Sequence, residues 1–440
     1  MPLPLVALLA ASLAPAAPVP VDKAAERQQL ERLWKDLETY DPVVRTRAVF
    51  ALLDHPRAVE FLADKMPPLD ASADQLRAWL SDLNGDDEKV WKPAFDKLRY
   101  HDPRTGLPLK GQIEQVTSLD GRRRLLDLWN FSPGLFPAGT YQIDITTPRI
   151  GRGVTVVCLF KTNRGGEGVT SIGWPVPRVD ALEPTEWRQA AIAAHVLRRL
   201  DTKASRAVLD RLAGGHKDAL PTRTAVGLLK ATAAPVSSDA EFKKGWDGLL
   251  SGEPIQATGW ALSLRDRPDD VKRLAEVLPA IEAAPDDVKG WLKALNDDDP
   301  KVWKPAFERL LYFRPLLAVP IQTQCELMTT DHGRAALFHL TRFAPGVPGK
   351  VDVREGSSLG VRDGRVELSS FAGGRVEVES TAVQTLGELT PIHWQRARLA
   401  VVVLERVKTD EAKAVLKQLA DGHPDILPTK EAKAALERMK

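Results

Sequence analysis

Two histidines occupy equivalent places in two similar stretches of the chain, and an aspartate follows each of them two residues later. His216 is followed by Asp218, and His423 is followed by Asp425. A histidine beside a carboxylate can bind a metal ion or move a proton. Both histidines, however, follow glycine between predicted helices, and neither has a further ligand at metal-like spacing. We therefore expect them to form turns at helix ends, with a catalytic or metal-binding role as the alternative.

An acidic segment resembles a calcium-binding loop. Residues 82–87 read Asp-Leu-Asn-Gly-Asp-Asp, but an EF-hand also needs glycine at its sixth position and glutamate at its twelfth. Asp87 and Pro93 stand there instead, and a second copy of the segment loses the first ligand to Ala294. We therefore expect Asp87 and Asp299 to cap the helices that follow them.

No sequence signature of a catalytic or nucleotide-binding site is present. The chain contains no G-x-S-x-G, H-E-x-x-H or Walker A motif, and no G-x-G-x-x-G after a strand. We therefore predict no catalytic, cofactor-binding or metal-binding residues, no cofactor and no enzymatic activity. Cys158 and Cys325 stand at non-equivalent places, which favours two buried thiols; one disulfide is the alternative if the protein is exported.

The charge balance argues against a nucleic-acid partner. The chain has 61 basic and 59 acidic residues, a net charge of +2, whereas nucleic-acid proteins usually carry a basic face or tail. The densest basic run is Arg122-Arg123-Arg124. We expect it to be the solvated face of a helix, with a phosphate-binding patch as the alternative.

The chain contains an internal duplication. The segments KVWKPAFDKLRY (89–100) and KVWKPAFERLLY (301–312) are identical at nine of twelve positions and lie 212 residues apart. Similar pairs extend over the chain, with an offset of 207 towards its end. They predict two modules, 24–232 and 238–440. Matched tryptophans at helical spacing predict core positions: Trp34 and Trp246, Trp79 and Trp291, Trp91 and Trp303, and Trp187 and Trp394.

Most of each module has helical patterns. Acidic or hydroxyl residues before proline predict helix starts, at Asp41-Pro42, Glu183-Pro184, Asp299-Pro300 and Thr390-Pro391. The last long helix carries one apolar stripe in each copy, formed by Trp187, Ala190, Ala194, Leu197 and Leu200 and by Trp394, Ala397, Val401, Leu404 and Val407.

A β-rich insert interrupts each module, at about 140–175 and 349–381. Alternating β-branched residues predict strands, at 140–147, 153–162, 168–174, 350–355, 358–362, 365–371 and 375–380. The pairs Asp363-Gly364 and Gly373-Gly374 predict tight hairpin turns. The fold class is therefore mainly α, within α+β, and each module contains a small antiparallel β meander.

The N-terminus resembles a secretory signal peptide. An apolar stretch from Leu3 to Leu13 precedes Ala14-Pro15-Ala16, which is typical of a cleavage site. We therefore predict a signal peptide at 1–20 and a periplasmic or secreted protein without a mature membrane span. If the segment is not cleaved, the expected location is cytoplasmic.

Several helical motifs resemble a known repeat type. They are LW-x-D-L at 33–37, RAVFALL at 47–53, VEFLADKM-P at 59–67, DL-x-x-DD at 82–87, and LERVKTDEAKAVLKQLADG with LPTKEAKAALERM across 404–439. The chain is similar to the HEAT/armadillo-type helical segments found beside WD40-repeat and sigma-factor-like regions in bacterial proteins. The resemblance covers most helical parts and not the β inserts. It implies a duplicated α-solenoid scaffold without known catalytic residues.

These observations favour an exported, non-enzymatic scaffold that binds a protein partner. One alternative is a glycan- or small-ligand-binding protein that uses exposed aromatic residues of the inserts, such as Tyr141 and Trp174, with only Phe371 in the second copy. The second alternative is an uncharacterised hydrolase, which would need His216 or His423 in a pocket with a carboxylate and a nucleophile. The sequence leaves the partner and the oligomeric state open.

Overall fold

The computed structural model is mainly helical. It describes residues 23–39, 41–129, 140–146, 153–161, 166–231, 238–249, 254–267, 269–278, 284–341, 356–372, 375–382 and 392–440. These residues form twenty α-helices and two antiparallel sheets of three strands each. The signal peptide predicted at 1–20, the strand predicted at 350–355, the turn predicted at Gly373-Gly374 and the helix start predicted at Thr390-Pro391 lie outside the described residues.

The first half of the chain contains ten helices and three strands. The helices are α1 Lys23–Asp36, α2 Pro42–Asp54, α3 Ala58–Lys65, α4 Ala73–Asp82, α5 Glu88–His101, α6 Leu109–Gln115, α7 Leu119–Leu128, α8 Thr185–Leu200, α9 Lys203–Ala213 and α10 Leu220–Lys230. The strands β1 Thr140–Thr146, β2 Gly153–Lys161 and β3 Glu167–Pro175 follow α7 and form sheet A.

The second half presents its elements in the same order. The helices are α11 Asp239–Gly248, α12 Pro254–Arg265, α13 Asp270–Val277, α14 Pro285–Ala294, α15 Pro300–Phe313, α16 Ile321–Leu327, α17 Asp331–Thr341, α18 Ile392–Val407, α19 Asp410–Ala420 and α20 Leu427–Arg438. The strands β4 Ser358–Arg362, β5 Arg365–Ala372 and β6 Arg375–Ala382 follow α17 and form sheet B.

Aspartate side chains start three of these helices as the sequence predicts. Asp41 accepts a hydrogen bond from the Val43 backbone N–H at 2.8 Å. Asp87 and Asp299 cap α5 and α15 in the same way. A helix also starts at Glu183-Pro184, but one residue later than predicted and without a side-chain cap, because Pro184 is itself the extended residue before α8. Glu183 therefore lies one residue too far from the first turn.

Four helices from both halves form the centre of the molecule. α2 packs against α18, α12 packs against α8, and α2 also contacts α12. Their apolar side chains belong to one continuous core. α8 and α18 are buried on most sides, including Ile192 and Val196 outside the predicted stripe. The stripe prediction was therefore too narrow, because it assumed one solvated face for a helix that lies between neighbours.

Charged pairs cross this centre at equivalent positions. Arg199 of α8 pairs with Asp266 after α12, and Arg406 of α18 pairs with Asp54 of α2. The α2–α18 contact adds Arg47, whose guanidinium lies 3.1 Å from a Glu405 carboxylate oxygen. The second half is thus tied to the first by ion pairs as well as by apolar packing.

Each sheet covers a smaller core within its own half. In sheet A, Val154 and Val156 face inward and pair with Trp174 and Ile172 in the antiparallel register of β2 and β3. In sheet B, Val366 is fully buried and pairs with Val361. All three strands of sheet A and the three described strands of sheet B match predicted segments within two residues at each end.

The hairpin turn between β4 and β5 has the backbone that its sequence predicts. Asp363 and Gly364 have φ angles of 49° and 72°. Two consecutive positive φ angles are required by a type I′ turn, which suits Asp-Gly.

Within the described ranges, no helix combines the length and apolar character needed to cross a bilayer.

Candidate functional site

The two matched histidines organise turns. The Nδ1 atoms of His216 and His423 accept hydrogen bonds from the backbone N–H groups of Asp218 and Asp425, both at 3.3 Å. The His216 backbone also donates to the Leu69 carbonyl at 2.8 Å. Each aspartate therefore meets its histidine through the main chain, which is the geometry expected of a turn. Within the described residues, no three His, Cys, Asp or Glu side chains gather closely enough to hold a metal ion.

The acidic segment 82–87 holds two loops together through its asparagine. Asn84 donates to the Gln115 carbonyl at 2.8 Å and accepts from the backbone N–H groups of Thr117 and Ser118. Asn296 makes the equivalent bonds in the second half, including one to the Leu327 carbonyl. The calcium-loop resemblance thus comes from a helix cap and a bridging amide, a role that the sequence reading missed.

A glycine makes room for this amide in each half. A Cβ atom on Gly121 would lie 2.8 Å from Asn84 Oδ1, and one on Gly333 would lie 2.3 Å from Asn296 Oδ1. Real side chains essentially never approach so closely. The paired asparagine and glycine, both matched in the repeat, were the available sequence signal for this contact.

The basic run is not a solvated face, and that prediction was wrong for two of its three arginines. Arg122 donates to the Ile143 carbonyl at 2.6 Å and holds α7 against β1. Arg124 donates to the Gly85 carbonyl at 2.9 Å and lies over the Trp91 ring, 4.1 Å from its centroid. Arg123 is exposed and pairs with Asp120. Arginine's several donors and flat apolar faces suit it to such half-buried positions.

The two cysteines are free thiols in separate cores. Cys158 lies in the core beneath sheet A, and Cys325 lies in the core beneath sheet B. Burial raises the pKa of Cys158, and it raises the pKa of Cys325 to about 11. The prediction of two buried thiols is confirmed, and neither thiol has the low pKa of a nucleophile.

Matched tryptophans are packed in both halves. Trp187 and Trp394 are fully buried. Their indole N–H groups donate to the Tyr100 and Tyr312 carbonyls, at 2.6 and 2.9 Å. Trp34, Trp79, Trp91, Trp246, Trp291 and Trp303 are buried or half-buried. The core positions predicted for these residues are confirmed except at Trp91, which is half-buried, packs against Phe95 and Arg124, and belongs to none of the apolar cores of the described residues.

Trp174, one of the aromatic residues proposed for a glycan platform, is less available than the sequence suggests. Trp174 is half-buried and packs against the core beneath sheet A. The side chains of Tyr141 and Phe371 lie outside the described part of the structure. Trp174 therefore contributes to packing at the position where an exposed ring was expected.

The outer faces of the sheets carry the most exposed large hydrophobic side chains of the described residues. Val169 on β3 is 66% exposed, and Val376 and Val378 on β6 are 58% and 57% exposed. β3 and β6 are the last strands of their sheets, and each lies at a sheet edge. Apolar side chains beside free backbone groups are the features that strand-adding partners use.

A buried hydrogen bond from an arginine to a backbone carbonyl occurs in both halves, although the two arginines stand at non-equivalent sequence positions. Arg104 donates to the Leu128 carbonyl at 3.2 Å, and Arg314 donates to the equivalent Leu340 carbonyl at 3.0 Å. Arg314 is equivalent in sequence to Asp102, not to Arg104. Asp102 and Arg314 share a positive φ, of 37° and 49°, so the backbone keeps its path where the side chains differ.

A cleft of about 520 Å³ opens beside this contact in the first half. It lies between the ends of α5 and α7 and the start of α8, with apolar walls that include Phe95, Leu98 and Leu128. Several charged side chains also line it. The sequence reading missed this cleft, because its residues come from segments that are distant along the chain.

Comparison with known proteins gives no relative for this chain. No family model, no curated protein and no solved structure matches the chain.

Proposed function

We propose that the chain is an exported, non-enzymatic scaffold, built from two duplicated HEAT-like helical modules, that binds a protein partner through the outer faces of sheets A and B. The observation that carries the proposal is the exposure of Val169, Val376 and Val378 at the last strands of the two sheets. Val376 and Val378 are neighbours on the same face of β6, and adjacent exposed apolar side chains favour a binding surface over a freely solvated one.

The duplication is supported by contacts that recur at the offsets of the sequence repeat. The indole bonds of Trp187 and Trp394 and the bridging amides of Asn84 and Asn296 are equivalent pairs. The resemblance to HEAT-type segments and the signal-like N-terminus supply the remaining parts of the proposal. A glycan-binding role is less favoured, because Trp174 packs against the core.

A capture experiment with surface variants tests the proposal. Tagged full-length protein is incubated with envelope and whole-cell fractions, and recovered proteins are identified by mass spectrometry. The test variant carries Val169→Lys, Val376→Lys and Val378→Lys. The matched control carries Val90→Lys and Val302→Lys, because these equivalent valines are 47% and 41% exposed on helices.

We expect the wild type and the helix control to recover one stoichiometric envelope protein, and the sheet variant to recover at least tenfold less. Circular dichroism confirms that each variant is folded. Equal recovery by the sheet variant, or no recovered protein, would contradict the binding proposal. A partner recovered from the whole-cell fraction but not from the envelope fraction would contradict export.

A further inference from the structure

The cleft of the first half contains both satisfied and unsatisfied charges. Arg104 pairs with Asp102 at 2.5 Å, and Arg99 pairs with Glu186 at 2.5 Å. These two pairs neutralise four of the seven charged groups that line the cleft, and the other three are Asp127, Glu183 and Arg188. Three arginines and four carboxylates give the lining a net charge of −1. The Arg99–Glu186 pair also joins α5 to the start of α8.

Two carboxylates of the cleft have no such partner. Asp127 and Glu183 are exposed, and the described residues provide neither of them with an ion pair or a side-chain hydrogen bond. The walls of the cleft partly desolvate Asp127 and raise its pKa. A cation placed there would stabilise the charged form of the carboxylate.

A buried donor points to a second group on the ligand. Only 6% of the Arg104 side chain is exposed. Its Nη2 bonds Asp102 and the Leu128 carbonyl, whereas its Nη1 has no hydrogen-bond partner among the described residues. A buried donor without an acceptor costs free energy. A small adjustment of Arg104 at the wall of the cleft would let Nη1 bond an acceptor carried by a ligand.

We propose that this cleft binds a basic amino-acid residue. Its ammonium or guanidinium group pairs with Asp127 and Glu183, and its alkyl stem lies on Phe95 and Leu128. Its carbonyl or carboxylate oxygen accepts from Arg104 Nη1. Basic side chains commonly combine an apolar stem with a charged end in this way. The proposal rests on the proposed function for one source of the residue, a partner polypeptide; the other source is a free amino acid.

The equivalent positions of the second half do not repeat this chemistry. Arg314, Leu316, His339 and Thr390 replace Asp102, Arg104, Asp127 and Glu183 in the aligned sequence. No carboxylate remains at these four positions. The second half would therefore repel or ignore a cation where the first half attracts one, and binding of one basic residue per chain is expected.

Calorimetric titration of the full-length protein tests the proposal with four probes. Nα-acetyl-arginine N-methylamide represents a residue inside a polypeptide, and free arginine represents the metabolite. Agmatine keeps the guanidinium and the stem but lacks the carbonyl. Nα-acetyl-glutamate N-methylamide is the control of opposite charge.

We expect one site for arginine in at least one of its two forms, agmatine at least threefold weaker, and no heat from the glutamate derivative. Preference for the amide form assigns the ligand to a polypeptide, and preference for free arginine assigns it to an amino acid. Asp127→Asn with Glu183→Gln should weaken binding at least tenfold. Asp96→Asn removes an exposed carboxylate from α5 outside the cleft and should leave binding unchanged.

Equal binding by agmatine would overturn the role of Arg104. Absence of heat with both arginine forms, or binding that survives the double substitution, would overturn the site. Thermal unfolding of each variant separates lost binding from lost folding. These outcomes are independent of the capture experiment, because the sheet variant leaves every residue of the cleft intact.

Discussion

Two of the contacts that join the halves, α2–α18 and α12–α8, occupy equivalent positions but use different interactions. Where α2 meets α18, Arg47 and Arg398 share the half-buried carboxylate of Glu431, and Arg47 also pairs with Glu405. Arg438 adds a further bond to Glu405. This contact is a charged network that is largely buried at Glu431 and Arg398, 13% and 14% exposed, and more open to solvent at Arg47 and Arg438.

Where α12 meets α8, the equivalent positions hold residues that do not form such a charged network. Gly259, Ala191, Arg198 and Thr224 stand at the places of Arg47, Arg398, Glu405 and Glu431. His195 of α8 fills the space above Gly259, and its ring lies 3.7 Å from the site of a Cβ atom there. Burial lowers the pKa of His195 to about 4.

The difference shows that the same helix-packing geometry can be built either with a charged network or with small and neutral side chains. Buried ion networks contribute little net stability compared with well-packed apolar groups, but removing one partner leaves an expensive unpaired charge. The two contacts should therefore have similar strength in the wild type and very different sensitivity to substitution. Four experiments test this view, from the largest expected effect to the smallest.

Glu431→Gln should have the largest effect. It leaves Arg47 and Arg398 with fewer carboxylate partners in a half-buried place, and we expect a loss of about 3 kcal/mol in the free energy of unfolding. Urea denaturation at pH 7 measures it. Thr224→Val, at the equivalent place, should cost less than about 1 kcal/mol. Equal losses for the two variants would mean that the contacts do not differ.

His195→Val should remove acid sensitivity from the other contact. The folded pKa of His195, about 4, is below its unfolded value. The contribution of neutral His195 to the free energy of unfolding is therefore fully present above about pH 6.5. It decreases as the pH falls towards 4, because the unfolded chain takes up the proton first. Between pH 7 and pH 4.5, the variant should lose roughly 2 kcal/mol less than the wild type. The equivalent residue, Val402, already lacks a titrating group.

The check is urea denaturation of both proteins at the two pH values. Parallel losses in the wild type and the variant would exclude His195 as the source of acid sensitivity.

Gly259→Ala should stabilise the protein. Alanine is favoured over glycine inside a helix by about 0.5–1 kcal/mol, and the new methyl group would make ordinary contact with His195. Thermal unfolding should show a small increase in Tm. A decrease would indicate that the α8–α12 contact is already too tight for a methyl group.

Asp54→Asn and Asp266→Asn should have the smallest effects, and equal ones. Each removes one carboxylate from the pairs Arg406–Asp54 and Arg199–Asp266, which are partly exposed. Such pairs contribute about 0.2–1 kcal/mol and weaken with salt. Denaturation with and without added salt measures both. A large difference between the two variants would show that the charged network extends to Asp54.

Local patterns in the sequence were enough to predict much of the fold. Asp41 before Pro42 starts a helix because the cap is a contact between neighbours, and the alternating residues of β2 and β5 predict strands for the same reason. The helix start predicted at Glu183 is off by one residue, because an acidic residue before proline does not show on which side of Pro184 the helix begins. The path of α8 through the centre was missed, because the sequence does not specify which helices surround it.

The candidate sites depend on contacts between distant segments, and those were largely missed. Asn84 bonds residues more than thirty positions away, and Arg122 bonds a strand beyond α7. Asp127 and Glu183 lie on the same cleft only after folding. A comparison of the two repeats could have indicated that the cleft differs between the halves, because Asp127 is matched by His339 and Arg104 by Leu316.

The exchange between Arg104 and Arg314 has a consequence for recognising distant relatives. A column-by-column alignment counts both positions as mismatches, although each guanidinium reaches the same carbonyl in its own half. Substitution matrices therefore underestimate the kinship of two chains that have made such exchanges. A search profile that scored a donor to this carbonyl, rather than an arginine in a fixed column, would identify relatives that ordinary profiles overlook.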